Sequence, residues 1–153
     1  MDVKQKVGQL KQLRYLKGEV VVLSRRIERL EAEIEAARPR WRGRAAADHR
    51  ARLIALREQL VRRRERCMAQ LEALYGFIGN IDDSRLRQIM AGRYIDGLTW
   101  KEVAARIGEA SEQYPRRLHN RFLARFELPP ALVKAQGDTE HFEGRNDGET
   151  AKG

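Results

Sequence analysis

Residues 111–126 carry four arginines, Arg116, Arg117, Arg121 and Arg125, and a single acid, Glu112. Projected at about 100° per residue, a helix over 112–126 puts Pro115, Leu118, Phe122 and Phe126 on one face. Gln113, Arg116, Arg117 and Asn120 fall opposite, Arg121 sits at the margin, His119 lies at the edge of the apolar face and Leu123 fits neither face well. The outward set has the chemistry of duplex DNA readout. Arginine donates a bidentate pair to guanine, glutamine and asparagine amides pair with adenine, and each of them also bonds phosphate. Lys101, just upstream, suits a backbone contact. So do Arg40, Trp41 and Arg42, which lie in a stretch over 38–44 holding four arginines around one aromatic. Trp41 could also stack on a base or insert between two. The same stretch equally suits a solvated loop tip.

Catalytic chemistry has little to work with. His49, His119, His141 and the lone Cys67 are isolated in sequence, without the spacing of a metal site. No glycine-rich loop follows a strand to cradle a nucleotide, and Asp82-Asp83 at a helix start suits capping better than acid–base work. We therefore expect no enzyme, no metal and no cofactor.

The elements that must present residues 112–126 are legible upstream. Asp82-Asp83-Ser84 caps a helix that buries Leu86, Ile89, Met90 and Tyr94 and ends at Gly97. Thr99-Trp100-Lys101-Glu102 has the form of a capping box. It opens a short helix that turns Trp100, Val103, Ala104 and Ile107 inward and stops at Gly108, with Ala104 small because two helices cross there. Ser111 can cap the third helix, and Pro115 lies early enough in it for its missing amide to cost little. Short helix, glycine turn and a second helix with outward basic residues make a helix-turn-helix.

The N-terminal half differs in kind. Of the net charge of +9 in 153 residues, residues 1–80 contribute +9, residues 81–130 contribute +2 and residues 131–153 contribute −2. Leu16, Val20, Leu23, Ile27, Leu30, Ile34 and Ala37 recur at alternating spacings of four and three, a seam of about three heptads. Val3, Val7, Leu10 and Leu13 extend it with one irregular step, and Pro39 and Gly43 interrupt it. Leu53, Leu56, Leu60, Cys67, Leu71 and Leu74 form a second seam, with Arg63 or Arg64 where an apolar residue is missing. Two such helices joined by a short connection fold back as an antiparallel hairpin. The seam also fits an intermolecular coiled coil, which leaves a homodimer through the N-terminal helices open. A lone cysteine excludes an intrachain disulfide scaffold. No apolar run approaches the roughly 18–20 residues needed to span a bilayer, and the basic N-terminus lacks the hydroxyl residues of a targeting peptide. The expected location is the cytoplasm.

The string Arg93-Tyr94-Ile95-Asp96-Gly97-Leu98-Thr99-Trp100-Lys101-Glu102-Val103-Ala104, with Arg117-Leu118-His119 further on, resembles region 4 of sigma-70-type factors. It is closer still to phage and prophage transcriptional regulators of the RinA/ArpU type. Those proteins join an N-terminal helical segment to a sigma-like helix-turn-helix. The resemblance implies binding to promoter or operator DNA, with RNA polymerase as a further partner. No segment resembles the promoter-melting region of a complete sigma factor. The expectation is an all-α chain, with a helical hairpin or coiled coil over 1–78, a helix-turn-helix over 79–130 and a disordered tail over 131–153. It binds double-stranded DNA through Gln113, Arg116, Arg117, Asn120 and Arg121. Two other functions fit the same elements: a coiled-coil adaptor that docks on RNA polymerase, and the DNA-recognition subunit of a phage packaging machine.

Overall fold

The computed structural model describes residues 1–40 and 42–133. Every regular element among them is helical: α1 (Val3–Leu13), α2 (Leu16–Ala37), α3 (Arg44–Gly79), α4 (Ser84–Tyr94), α5 (Trp100–Arg106) and α6 (Gln113–Arg125), with single 3-10 turns at Arg38–Arg40 and Pro130–Leu132. No helix of the described residues is long and apolar enough to cross a membrane.

The irregular heptad step near the N-terminus is a break. α1 stops at Leu13 and α2 starts at Leu16, with Arg14 and Tyr15 between them, and Leu10, Leu13, Leu16 and Leu23 still share one core. α1 is capped reciprocally. The Asp2 carboxylate accepts the Gln5 amide at 2.8 Å, and the Gln5 side chain accepts the Asp2 amide at 2.9 Å.

α2 packs along α3, which outruns it. At 1.5 Å rise per residue the 36 residues of α3 extend about 20 Å further than the 22 of α2. Leu23, Ile27 and Cys67 are buried on the facing sides, and Leu53, Leu60 and Leu71 are half-buried. The arginine that fills the gap in the second seam is Arg64, whose guanidinium donates to the Ser24 hydroxyl at 3.4 Å. Leu56, expected in that seam, is 43% exposed. The half-buried stripe runs instead through Leu53, Arg57, Leu60 and Arg64, whose spacings of four, three and four continue the heptad of Cys67, Leu71 and Leu74 and leave Leu56 one position off it.

The far end of α3 packs against α1, α4 and the Pro130–Leu132 turn, while α1 also touches α6. One apolar core results. It holds Leu10, Leu13, Leu74, Ile78, Met90, Tyr94, Leu123 and Leu132, so it crosses the position where charge and aromatic content change. Leu132 is fully covered, which places 131–133 in the packed structure. The rest of the expected tail, 134–153, lies outside the described residues, as does Trp41.

Candidate nucleic-acid interface

Local chemistry sets the three helices that carry the candidate residues. Asp83 caps α4 by accepting the Leu86 amide at 2.9 Å. Gly97 takes φ +68°, a left-handed conformation that side chains disfavour, and the Leu98 amide donates to the Gly92 carbonyl at 2.8 Å. Thr99 then caps α5 by accepting the Glu102 amide at 3.2 Å. Glu102 reaches back to the Thr99 hydroxyl at 3.0 Å, rather than to the backbone amide of a full capping box. At the other end, Gly108 at φ +77° closes a Schellman motif. Glu109 donates to the Ala104 carbonyl at 2.8 Å and Gly108 to that of Ala105 at 3.1 Å. Ala104 is buried, and a Cβ on Gly92 would come within 3.2 Å of Val103, so α4 and α5 meet where both residues are small.

α6 spans one residue less at each end than the expected 112–126. The N-cap position is Glu112, whose side chain makes no cap hydrogen bond, and the Ser111 hydroxyl one residue earlier accepts the Gln113 amide at 3.2 Å. Its buried stripe is Pro115, His119 and Leu123, with Phe122 beside it. This corrects the projected face by about one residue. Leu123 is wholly buried and His119 nearly so, whereas Leu118 is half-buried and Phe126 is 54% exposed. The shift follows from pairing that hydropathy does not register. Tyr94 of α4 meets His119 at 2.5 Å between Oη and Nε2, and the Trp100 ring meets the imidazole edge-on with centroids 4.9 Å apart.

The His119 bonds fit one tautomer. Burial pushes its pKa down to about 4, so the ring is neutral near pH 7. Burial also pushes the Tyr94 phenol up to about 12, which keeps it a donor. With Tyr94 donating to Nε2, the proton sits on Nδ1 and is donated to Asn120 Oδ1 at 2.9 Å. This bond holds the Asn120 amide on the solvent side with its NH2 group turned away from His119.

Of the candidate residues, Gln113, Arg117, Asn120 and Arg121 are exposed and share the outer side of α6. Arg116 is only half-buried; it leans over the Trp100 ring at 5.7 Å and pairs with Glu112 at 3.6 Å. Lys101 is exposed on α5. Arg40 and Arg42 are exposed at the α2–α3 connection, apart from the α4–α6 helices in the chain.

Three positioning residues escape a reading by periodicity. Lys6 of α1 is buried, and its amine donates to the carbonyls of Leu123 at 2.7 Å and Phe126 at 3.0 Å while lying 3.4 Å from Glu127. It thus occupies the negative end of the α6 dipole. Arg93 of α4 donates to the Leu98 carbonyl at 2.8 Å and stacks on Trp100 at 4.5 Å, bracing the α4–α5 turn. Gly92 supplies the close approach of the two helices. The sequence hints were a lysine at an apolar-face position, an arginine beside a tyrosine, and a glycine inside a helix.

Among the described residues no group of histidine, cysteine and carboxylate side chains gathers as a metal site. Cys67 is buried, and burial pushes its thiol pKa up, the opposite of an activated nucleophile. No family model, characterised protein or solved structure shows a match to this chain.

Proposed function

We propose that the protein is a non-enzymatic, sequence-specific DNA-binding transcription regulator, in which α5, the 107–112 turn and α6 act as a helix-turn-helix and the α2–α3 pair as a coiled-coil hairpin. The observation that carries the reading is the outer side of α6. Gln113, Arg117, Asn120 and Arg121 stand exposed together on a helix anchored by Lys6 at one end and by the Tyr94–His119–Trp100 cluster along its buried side. A helix of 13 residues bearing four donor side chains on one side matches what enters a major groove. The exposed arginines of α2 and α3 supply sequence-independent attraction to phosphate. The resemblance to RinA/ArpU-type regulators points to promoter or operator DNA in a bacterial cytoplasm.

Selection of bound duplexes from a random pool, followed by a gel-shift titration of the enriched site, tests this reading. Enrichment of one motif, with affinity that falls as salt rises, is the expected result. Failure to enrich any sequence overturns it. An adaptor that docks on RNA polymerase is the second reading. It is favoured by an apolar recess lined by Phe77, Leu86, Phe122 and the exposed Phe126. Protein that shows no salt-dependent DNA binding yet co-purifies with polymerase selects it.

A further inference from the structure

A second cluster of cations lies beside the α6 face, and the helix-turn-helix reading does not use it. Arg93 of α4 and Arg116 of α6 approach the same indole, with their guanidinium carbons 4.5 and 5.7 Å from the centroid of Trp100. Both carry a buried Nε that has no hydrogen-bond partner among the described residues. Native proteins seldom leave such donors unmet, because each desolvated N–H without a partner costs free energy. Here two of them belong to like charges that share one aromatic ring.

Nothing nearby neutralises the cluster fully. Glu112 stands 3.6 Å from Arg116, and the Arg116 side chain still leaves 43% of its surface to solvent. His119, between the helices, contributes no charge near pH 7. Asp96 is engaged by Arg106 at 2.6 Å. The break between α1 and α2 adds further cations. Arg14 and Lys17 line a groove of about 620 Å3 against Ile95, Asp96 and Gly97. Arg14 and Arg116 both lie near enough to Arg93 to lower its pKa, although burial is the larger cause. Lys11 acts on His119 in the same way, behind burial. Among the described residues no carboxylate lies within ion-pair distance of Lys11, Arg14 or Arg93.

We propose that Arg93 and Arg116, together with Arg14 from the α1–α2 junction, bind a phosphodiester oxyanion of the same duplex whose bases α6 faces. This inference rests on the DNA reading. Guanidinium forks match phosphate oxygens in plane and in pairs, and stacking on Trp100 fixes two of them before the anion arrives. The site adjoins the N-terminal end of α6, so a strand that crosses it runs past Gln113 and Arg117. Arg116 thereby becomes a backbone contact, and base readout falls to Gln113, Arg117, Asn120 and Arg121. The α1–α2 junction acquires a binding role as well: it brings N-terminal charge to the edge of the reading helix.

The test compares the full-length protein with Arg14→Gln and, separately, with Arg116→Gln. Each is titrated against its enriched duplex and against random duplex over a range of salt, with thermal melting as a check on folding. Arg14→Gln is expected to bind both duplexes more weakly by the same factor. Its slope of log affinity against log salt should become shallower by up to about 0.9, the value for one phosphate that the protein no longer neutralises. Arg116→Gln should likewise keep the ratio of enriched to random affinity. An unchanged salt slope in both variants overturns the phosphate site and leaves the DNA reading standing. A changed ratio with Arg116→Gln returns that residue to base readout and also overturns the site. Unchanged slopes together with a wild-type-specific rise in melting temperature on adding inorganic phosphate assign the cluster to free phosphate, against the duplex. Wild-type protein without salt-dependent DNA binding fails the DNA reading itself, and the site with it.

Discussion

The α2–α3 pair and the α4–α6 unit are both helical and both basic, yet they hold their polar groups in opposite ways. Along α2 and α3 the polar contacts are long: Arg63 to Glu19 at 3.9 Å on the surface, and Arg64 to Ser24 at 3.4 Å at the half-buried edge. Val21, Val22, Leu56 and Met68 stand in solvent. Around α4–α6 the contacts are short and tied to buried groups: Tyr94 to His119 at 2.5 Å, Lys6 to the Leu123 carbonyl at 2.7 Å, Arg93 to the Leu98 carbonyl at 2.8 Å. The pair carries many charges whose positions matter little. The α4–α6 unit fixes Arg93, Arg116, His119 and Asn120 against named neighbours. Net charge therefore says where a polyanion is attracted, and the anchoring of α6 says where it would be read.

This contrast can be broken at several levels. The largest effect should come from Leu123→Ala, which opens a cavity in the shared core and should cost about 2–5 kcal/mol. Leu56→Ala on α3 should cost under about 0.5 kcal/mol, and urea denaturation of the two variants checks the difference. Acid comes next. His119 has its folded pKa near 4, below the unfolded value of 6.5, so its contribution is complete above pH 6.5 and is lost as pH falls toward 4. The loss is on the order of 3 kcal/mol, and it should vanish in His119→Gln. Chemical denaturation followed across that range would show it.

Smaller changes sharpen the comparison. Lys6→Met leaves the Leu123 and Phe126 carbonyls without their charged donor and should cost about 2 kcal/mol in denaturant midpoint measurements. Asp83→Ala removes the α4 cap and should cost about 1 kcal/mol. Arg63→Ala, which breaks an exposed pair at 3.9 Å, should stay within about 0.5 kcal/mol of wild type.

Much of this architecture was legible from elementary rules. The α4 and α5 caps, the glycines at 97 and 108, the small Ala104 and the burial of Ile89, Met90, Val103 and Tyr94 all follow from local chemistry that depends on adjacent residues. The α6 face was legible only to within one residue. Hydropathy ranks His119 below Phe126, yet Tyr94 and Trp100 satisfy the imidazole and draw it inward, which rotates Phe126 outward. The role of Lys6 was hidden for a related reason. A lysine looks like surface until the helix end that accepts its hydrogen bonds is known, and that end lies 117 residues away along the chain. The break at Arg14-Tyr15 was visible as an irregular heptad step. Its consequence, α1 packed against α6, depends on tertiary contacts that periodicity does not encode.

The central claim is that readout of a sequence belongs to the outer side of α6, while the hairpin arginines supply only attraction. Measuring the ratio of enriched-site to random-duplex affinity in Arg117→Ala/Asn120→Ala and in Arg62→Gln/Arg66→Gln tests it most directly. The account predicts that the α6 variant loses about 1–3 kcal/mol of discrimination for each base-contacting residue. It predicts that the α3 variant weakens both affinities equally and keeps the ratio. An α6 variant that keeps the wild-type ratio would contradict it.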